Sequence, residues 1–252
     1  MSVSRKLLLC AFLLLAGNVF VRAAAVEDAN ASFNAGDFAK AATAYESLVA
    51  KNGATASTLY NLGNARFRLK EYGPAILAYE RAALLSPRDP DIRANLKLAR
   101  QAAASYDESE THPWWRSVLL ALSLHEWSWV VIIGAMLPAL AALAWGLAGF
   151  SRPWLKRSAI AALVVGILVG SLGGFALWHR RDERNLAIIT AAEPTLRLSP
   201  FPEAAPAGSP GTGRTVRLGD RSNGWVHVSV SGSTLSGWLP EKDAPPLMPQ
   251  GS

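Results

Sequence analysis

The chain has 252 residues, of which 50% are hydrophobic and only 17% charged, with a net charge of +6. A charged share so far below the usual quarter excludes an ordinary single soluble core, and the apolar content excludes disorder. An isoelectric point near 9.7 would suit nucleic acid only if the basic residues gathered on one folded face. They are scattered instead, and several flank apolar runs, so no nucleic-acid partner is expected.

Residues 1–25 begin with Arg5 and Lys6, continue through an apolar run over 7–16 and end in Ala23, Ala24 and Ala25. That order is the one a secretory signal peptide needs, with cleavage near Ala23 or Ala25. The alternative is an uncleaved signal anchor. Cleavage would remove Cys10, the only cysteine, and with it any disulfide, thiol nucleophile or sulfur ligand.

Residues 26–105 are alanine-rich and repeat at a spacing of 34. Phe38, Ala41 and Tyr45 recur as Tyr72, Ala75 and Tyr79; Asn61, Leu62, Ala65 and Arg66 recur as Asn95, Leu96, Ala99 and Arg100. This is the tetratricopeptide period, and it predicts an all-α repeat domain of about five helices. The unit over 56–89 is clean, with small residues at Gly63, Ala75 and Ala82 for close helix pairing. The unit before it is degenerate, with Asp28 and Ala29 where Leu62 and Gly63 stand. Five helices are few for a repeat array, so the domain should lean on a partner. Asn61, Asn64, Arg68 and Asn95 fall on the helix face that lines the concave side, where side-chain amides could hold an extended peptide. The other reading of these four is a solvated polar face.

A linker over 106–126 carries the acidic Asp107, Glu108 and Glu110, then an amphipathic stretch around Trp114 and Trp115 suited to a membrane interface. Two uncharged apolar stretches follow, 127–150 and 158–178, each long enough to span a bilayer. Trp127, Trp129, Trp154 and Trp178 mark their ends. In the second, Gly166, Gly170 and Gly174 form a stripe that lets a partner backbone approach. Ala135, Ala139, Ala142 and Gly146 offer a similar face on the first, unless these small residues reflect only the common composition of membrane helices. With an exported N-terminus and two spans, both soluble parts lie outside the cytoplasm and only the loop 151–157 lies inside.

Residues 179–252 turn to glycine, proline and serine with short β-branched runs. Five strands are expected, over 186–190, 195–198, 214–218, 225–229 and 236–239, with a long flexible loop over 200–213. The paired Gly-Trp motifs, Gly224-Trp225 and Gly237-Trp238, resemble the bacterial SH3-like domain, a small all-β barrel. Trp225 and Trp238 are either ligand-groove residues or core.

No metal-type histidine spacing, phosphate loop, nucleophile elbow, HExxH or CxxC occurs, so no catalytic residue, metal or cofactor is expected. The order of parts, together with Tyr60-Asn61-Leu62-Gly63-Asn64 and Ala94-Asn95-Leu96-Lys97-Leu98-Ala99-Arg100, resembles the E-type (BatE-like) family of Bacteroides-aerotolerance operons over nearly the whole chain. The resemblance implies a non-enzymatic inner-membrane component acting beside von Willebrand A-type membrane proteins and a MoxR-type ATPase, in stress or oxygen tolerance. Two functions follow as expectations. One is a scaffold that recruits proteins through the repeat groove; the other is a cell-envelope protein whose SH3-like domain holds peptidoglycan or a peptide.

Overall fold

The computed structural model describes residues 24–105, 114–148 and 153–248. The signal segment up to Ala23, the acidic linker residues and His112, and the Ser151-Arg152 part of the inter-helix loop lie outside the described residues. What is described is mostly helical, with one small antiparallel sheet and two long apolar helices.

The chain opens with α1 (24–34), α2 (Phe38–Asn52), α3 (Ala56–Arg68), α4 (Tyr72–Leu85) and α5 (Pro90–Ala102). Local chemistry sets these limits. Asp37 and Thr55 accept the Lys40 and Thr58 amides at 3.1 and 3.2 Å. Asp89 accepts from Asp91 and Ile92 ahead of a helix that starts on Pro90, so otherwise orphaned first-turn donors are satisfied. Gly36, Lys70 and Ala104 have φ of +83°, +62° and +50° and stand 34 residues apart. The same left-handed turn therefore recurs three times, twice on residues with a Cβ, which costs each about 1–2 kcal/mol. The degenerate first unit folds as a helix pair like the second. Its Ala29 is completely buried and packs with Ala41, Ala42, Tyr45 and Ala65, so the substitution at the Gly63 position changes the packing without removing the helix.

A short helix, α6 (Trp114–Leu120), precedes α7 (Leu124–Ala148) and α8 (Pro153–His179). The helix α7 starts three residues before the expected apolar boundary because Ser123 and Glu126 form a reciprocal cap. The Ser123 amide donates to Glu126 Oε2 at 2.7 Å, and the Glu126 amide to Ser123 Oγ at 3.2 Å. Both long helices are long and apolar enough to cross a membrane, and they pack as a hairpin on small residues. A Cβ on Gly134 would lie 2.5 Å from the Gly170 backbone nitrogen, and one on Gly166 would lie 2.6 Å from both the Gly134 oxygen and the Pro138 ring. The expected stripe needs correction at its end. Gly174 faces open space, and Gly173, seven residues beyond Gly166, approaches Val130 and Val131 instead. A seam between two helices follows a repeat of seven rather than successive steps of four, which drift off the contact. On α7 the seam runs through Gly134 and Pro138, while Ala135, Ala139, Ala142 and Gly146 are exposed; the expected face is one residue, about 100°, out of phase.

Beyond a 3₁₀ turn over Arg180–Asn185 come β1 (Leu186–Ile188), β2 (Leu196–Arg197), β3 (Pro206–Gly208), β4 (Thr215–Ser222), β5 (Trp225–Val230) and β6 (Ser236–Pro240). They form one antiparallel sheet in the order β1-β4-β5-β6-β2-β3. The segment 200–213, expected to be a loop throughout, contains β3, which pairs with β2. Asn223 and Gly224, both at positive φ, make the two-residue turn between β4 and β5. Alternation along β5 and β6 sends Val226, Val228, Val230 and Leu239 inward, where they meet Ala187, Leu196 and Val216 in one cluster.

This β-unit is docked on α4. Ile188 and Leu247 join Ala75, Ile76 and Tyr79 in a single apolar cluster. Arg81 reaches across to donate to the carbonyls of Leu247 at 3.1 Å and Pro246 at 2.7 Å. The approach is close enough that a Cβ on Gly73 would stand 2.4 Å from Thr212 Oγ1 and 2.8 Å from the Ile189 carbonyl oxygen. The short array thus leans on a partner supplied by its own chain. Gly73→Val is expected to cost about 1–3 kcal/mol and to split thermal unfolding into separate helical and β transitions. A single transition at the wild-type temperature in differential scanning calorimetry would contradict the docking.

Candidate functional site

The 34-residue repeat reappears as a repeated set of hydrogen bonds. In its first step the Tyr45 hydroxyl donates to Asn30 Oδ1 at 2.7 Å, and Asn61 Nδ2 approaches the same oxygen at 3.4 Å. In the second, Tyr79 donates to Asn64 Oδ1 at 2.7 Å and Asn95 Nδ2 to that oxygen at 2.9 Å. Each residue of the second step lies 34 after its counterpart in the first. An ion pair repeats alongside: Arg66 bridges Glu46 and Glu71, and Arg100 meets Glu80. The pairs Glu46/Glu80 and Arg66/Arg100 keep the same spacing.

This ladder alters the reading of the four groove candidates. Asn61, Asn64 and Asn95 spend hydrogen-bonding capacity inside the protein, holding one helix pair to the next. Arg68 does not join them; it is exposed, with its guanidinium 4.4 Å from the centre of the Phe38 ring. Asn30 belongs to the ladder and was not among the candidates, although its position 34 residues before Asn64 was a usable signal.

Capacity remains on the open side. Asn64, Arg68 and Asn95 line a groove of about 250 Å³ whose apolar walls include Phe33, Phe67 and Leu98. Asn64 accepts twice through Oδ1, which leaves its Nδ2 donors without a hydrogen bond among the described residues. Asn95 gives its Nδ2 to Asn64 and to the Tyr60 hydroxyl, at 2.9 Å each, and its Oδ1 has none among the described residues. One amide donor group and one amide acceptor therefore remain on two residues that line a slot with apolar walls. That arrangement matches the alternating C=O and N–H groups of an extended backbone. Asn61 lies one ladder step away, outside this slot.

The tyrosines are the rigid part of the site. Tyr45 and Tyr79 are fully buried. Desolvation is the main cause that raises the Tyr79 hydroxyl far above its ordinary value, reinforced by the neighbouring Tyr60 and opposed by the Asn95 amide. Burial raises Tyr45 in the same way.

In the β-unit, Trp225 and Trp238 are half-buried on the outer face, so neither fills the core. The core positions beside them belong to Val226 and Leu239. His227 stands opposite Trp238 across β5 and β6, with ring centroids 5.4 Å apart and edge to face. Among the described residues, no group of three or more His, Cys, Asp or Glu side chains could hold a metal ion.

Asn64→Ala removes the acceptor of two bonds and strands the Tyr79 hydroxyl, so it should destabilise the helical unit by about 1–3 kcal/mol in denaturant titration. Alkaline pH should act on the same point. A folded-state value raised above the unfolded one, near 10, gives a contribution fully present below about pH 10 and lost as pH climbs through the raised value. Melting temperature should fall beyond pH 10 in step with tyrosinate absorbance, and Tyr79→Phe should flatten that fall. Comparisons with protein-family models, with curated proteins and with solved structures find no match for this chain.

Proposed function

We propose that the protein is a non-catalytic adaptor of the inner membrane that binds protein partners through the groove beside Asn64 and Asn95. In this reading α1–α5 are tetratricopeptide-type repeats, the β-unit is an SH3-like domain and the chain acts as a BatE-like component of a Bat-type aerotolerance or stress complex. The observation that carries it is the groove itself. Buried hydrogen bonds fix its amides, so a peptide meets donors and acceptors already oriented, which lowers the ordering cost of binding. Von Willebrand A-type membrane proteins, working with a MoxR-type ATPase, are the partners that the family resemblance suggests.

The docking of α4 on the β-unit supports the topology. Two spans return the chain to the side it left, and the parts before and after the hairpin must share a compartment to pack on each other. With an exported N-terminus that compartment is the periplasm. The half-exposed Trp225, His227 and Trp238 favour a second reading, in which the β-unit holds a peptidoglycan or peptide ligand against an aromatic face.

Arg68→Glu and Leu98→Glu test the adaptor reading without touching the ladder, since both side chains are exposed. Co-purification of a co-expressed von Willebrand A-type membrane protein should drop at least about tenfold in the double variant. That magnitude corresponds to roughly 1.4 kcal/mol of lost binding. Recovery unchanged by the double variant, with cell-wall fragments retained instead and lost on Trp238→Ala, would favour the second reading.

A further inference from the structure

A second cavity, of about 440 Å³, lies away from the groove, where α2 to α4, the first residues of α7 and the C-terminal segment meet. Its walls are largely apolar, with Val49, Leu59, Leu84 and Leu247 among them, and Arg81, Leu124 and His125 also line it. The size falls within the range of about 300–1,000 Å³ that encloses a small molecule. Asn64 and Asn95 take no part in it.

The polar groups at this cavity favour a ligand of one sign. Arg81 gives Nε to the Leu247 carbonyl and Nη2 to the Pro246 carbonyl, both neutral acceptors, and no carboxylate pairs with it among the described residues. Desolvation therefore lowers its guanidinium from the ordinary value with no opposing charge to hold it up. Its Nη1 has no hydrogen bond among the described residues and is not one of the sealed polar atoms, so two N–H donors stay accessible. The start of α7 adds to this. Its first intrahelical bond runs from the Trp127 amide to the Ser123 carbonyl, and the Ser123 hydroxyl takes the Glu126 amide. The Leu124 and His125 amides remain as orphan donors at the positive end of the helix. His125 accepts the Trp129 indole at Nε2, 3.0 Å away, which puts its ring proton on Nδ1 as a further donor. The nearby Glu126 carboxylate does not line the cavity and is engaged by the Ser123 amide and Arg88.

We propose that this cavity binds a long-chain carboxylate, a fatty acid in its ionised form, with its head group on Arg81 and its alkyl chain against Val49, Leu59, Leu84 and Leu247. A guanidinium donates to carboxylate oxygens in a charge-assisted bond, and here it meets no competing anion. The single charge of a carboxylate matches the single guanidinium that lacks a counter-ion, whereas a phosphate monoester brings more charge than the site offers. A short anion would satisfy Arg81 and leave the apolar walls wet. A long-chain alcohol would do the reverse, so only the combination uses both parts of the site.

The experiment exposes the full-length protein, in non-ionic detergent, to a diazirine-bearing hexadecanoate, and peptide mass spectrometry after irradiation reads the labelled residues. Label should fall on the lining segments 49–59, 81–85 and 247–248. Dodecanoate should displace it at a concentration at least about tenfold below that of dodecanol or acetate. Leu85 lines the cavity and is 49% exposed, so its substitution spares the fold. Leu85→Asp should cut labelling about fivefold while Leu85→Lys should not, because only the first places a like charge beside the head group. Arg81→Met should cut labelling by a similar factor. Arg81 also holds the C-terminal segment, so circular dichroism checks that variant, and the Leu85 pair decides where it fails to fold. Label confined to α7 and α8, dodecanol displacing as well as dodecanoate, or equal labelling of the two Leu85 variants overturns the proposal. Dodecyl phosphate displacing more strongly than dodecanoate would assign the head group to phosphate and overturn the carboxylate.

Discussion

The architecture depends on one helix being buried from more than one side. The helix α4 packs on α3 and α5 through Ala75, Tyr79 and Ala82, and it also receives β1 and the C-terminal segment on Gly73, Ile76 and Arg81. Without that second contact the helical array would end on an apolar surface, which repeat arrays normally close with a polar capping helix. Here the cap is the β-unit, and the consequence is topological. Residues before α7 and after α8 must return to the same end of the helical hairpin to make it. Arg81 shows the constraint at atomic scale. Burial lowers its guanidinium from the ordinary value, an unfavourable position for a charge, and the Pro246 and Leu247 carbonyls compensate it with two hydrogen bonds.

Inside the array, a similar economy ties structure to binding. A buried tyrosine hydroxyl needs an acceptor, and an asparagine on the preceding helix provides it. The same asparagine oxygen then takes a donor from the next first helix, so the bond that satisfies the core also sets the spacing between repeats. Side chains fixed in this way have little rotamer freedom left to lose. Whatever amide capacity they still present to solvent is therefore more useful for recognition than that of a loose surface asparagine.

The sequence made the long-range plan legible and the local phases less so. The spacing of 34 located the helices and, through Asn61, Asn64 and Asn95, the residues that line or support the groove. It could not reveal that these amides bond to each other, because spacing says which residues are equivalent and not which are in contact. The α4 contact had an unread signal: its apolar residues run around the whole helix instead of along one stripe, which is the mark of a helix covered on all sides. The cap at Ser123 and Glu126 was equally readable as a Ser-x-x-Glu pattern ahead of an apolar run. The phase of the hairpin seam was not readable, since α7 is apolar all round and only contact selects Gly134 over Ala135. Trp225 and Trp238 lay between two readings until register settled their face. Core positions went to Val226 and Leu239, and alternation left the tryptophans no other side.

The soluble body is also tied to the hairpin at several separate points, and their combination fixes more than any one alone. Arg88, in the turn between α4 and α5, pairs with Glu126 at the start of α7. Arg180, past the end of α8, holds the Leu122 carbonyl. Leu119 of α6 packs with Trp127 and Ala176 from the two long helices, and the Trp127 indole donates to the Leu119 carbonyl at 2.9 Å. A single exposed ion pair such as Arg88 with Glu126 contributes little by itself. The buried arginine strut and the indole bond, by contrast, leave stranded polar groups if the body tilts. A groove held by such a body keeps a set position relative to the two long helices, because moving it would break the Arg180 and Trp127 bonds together.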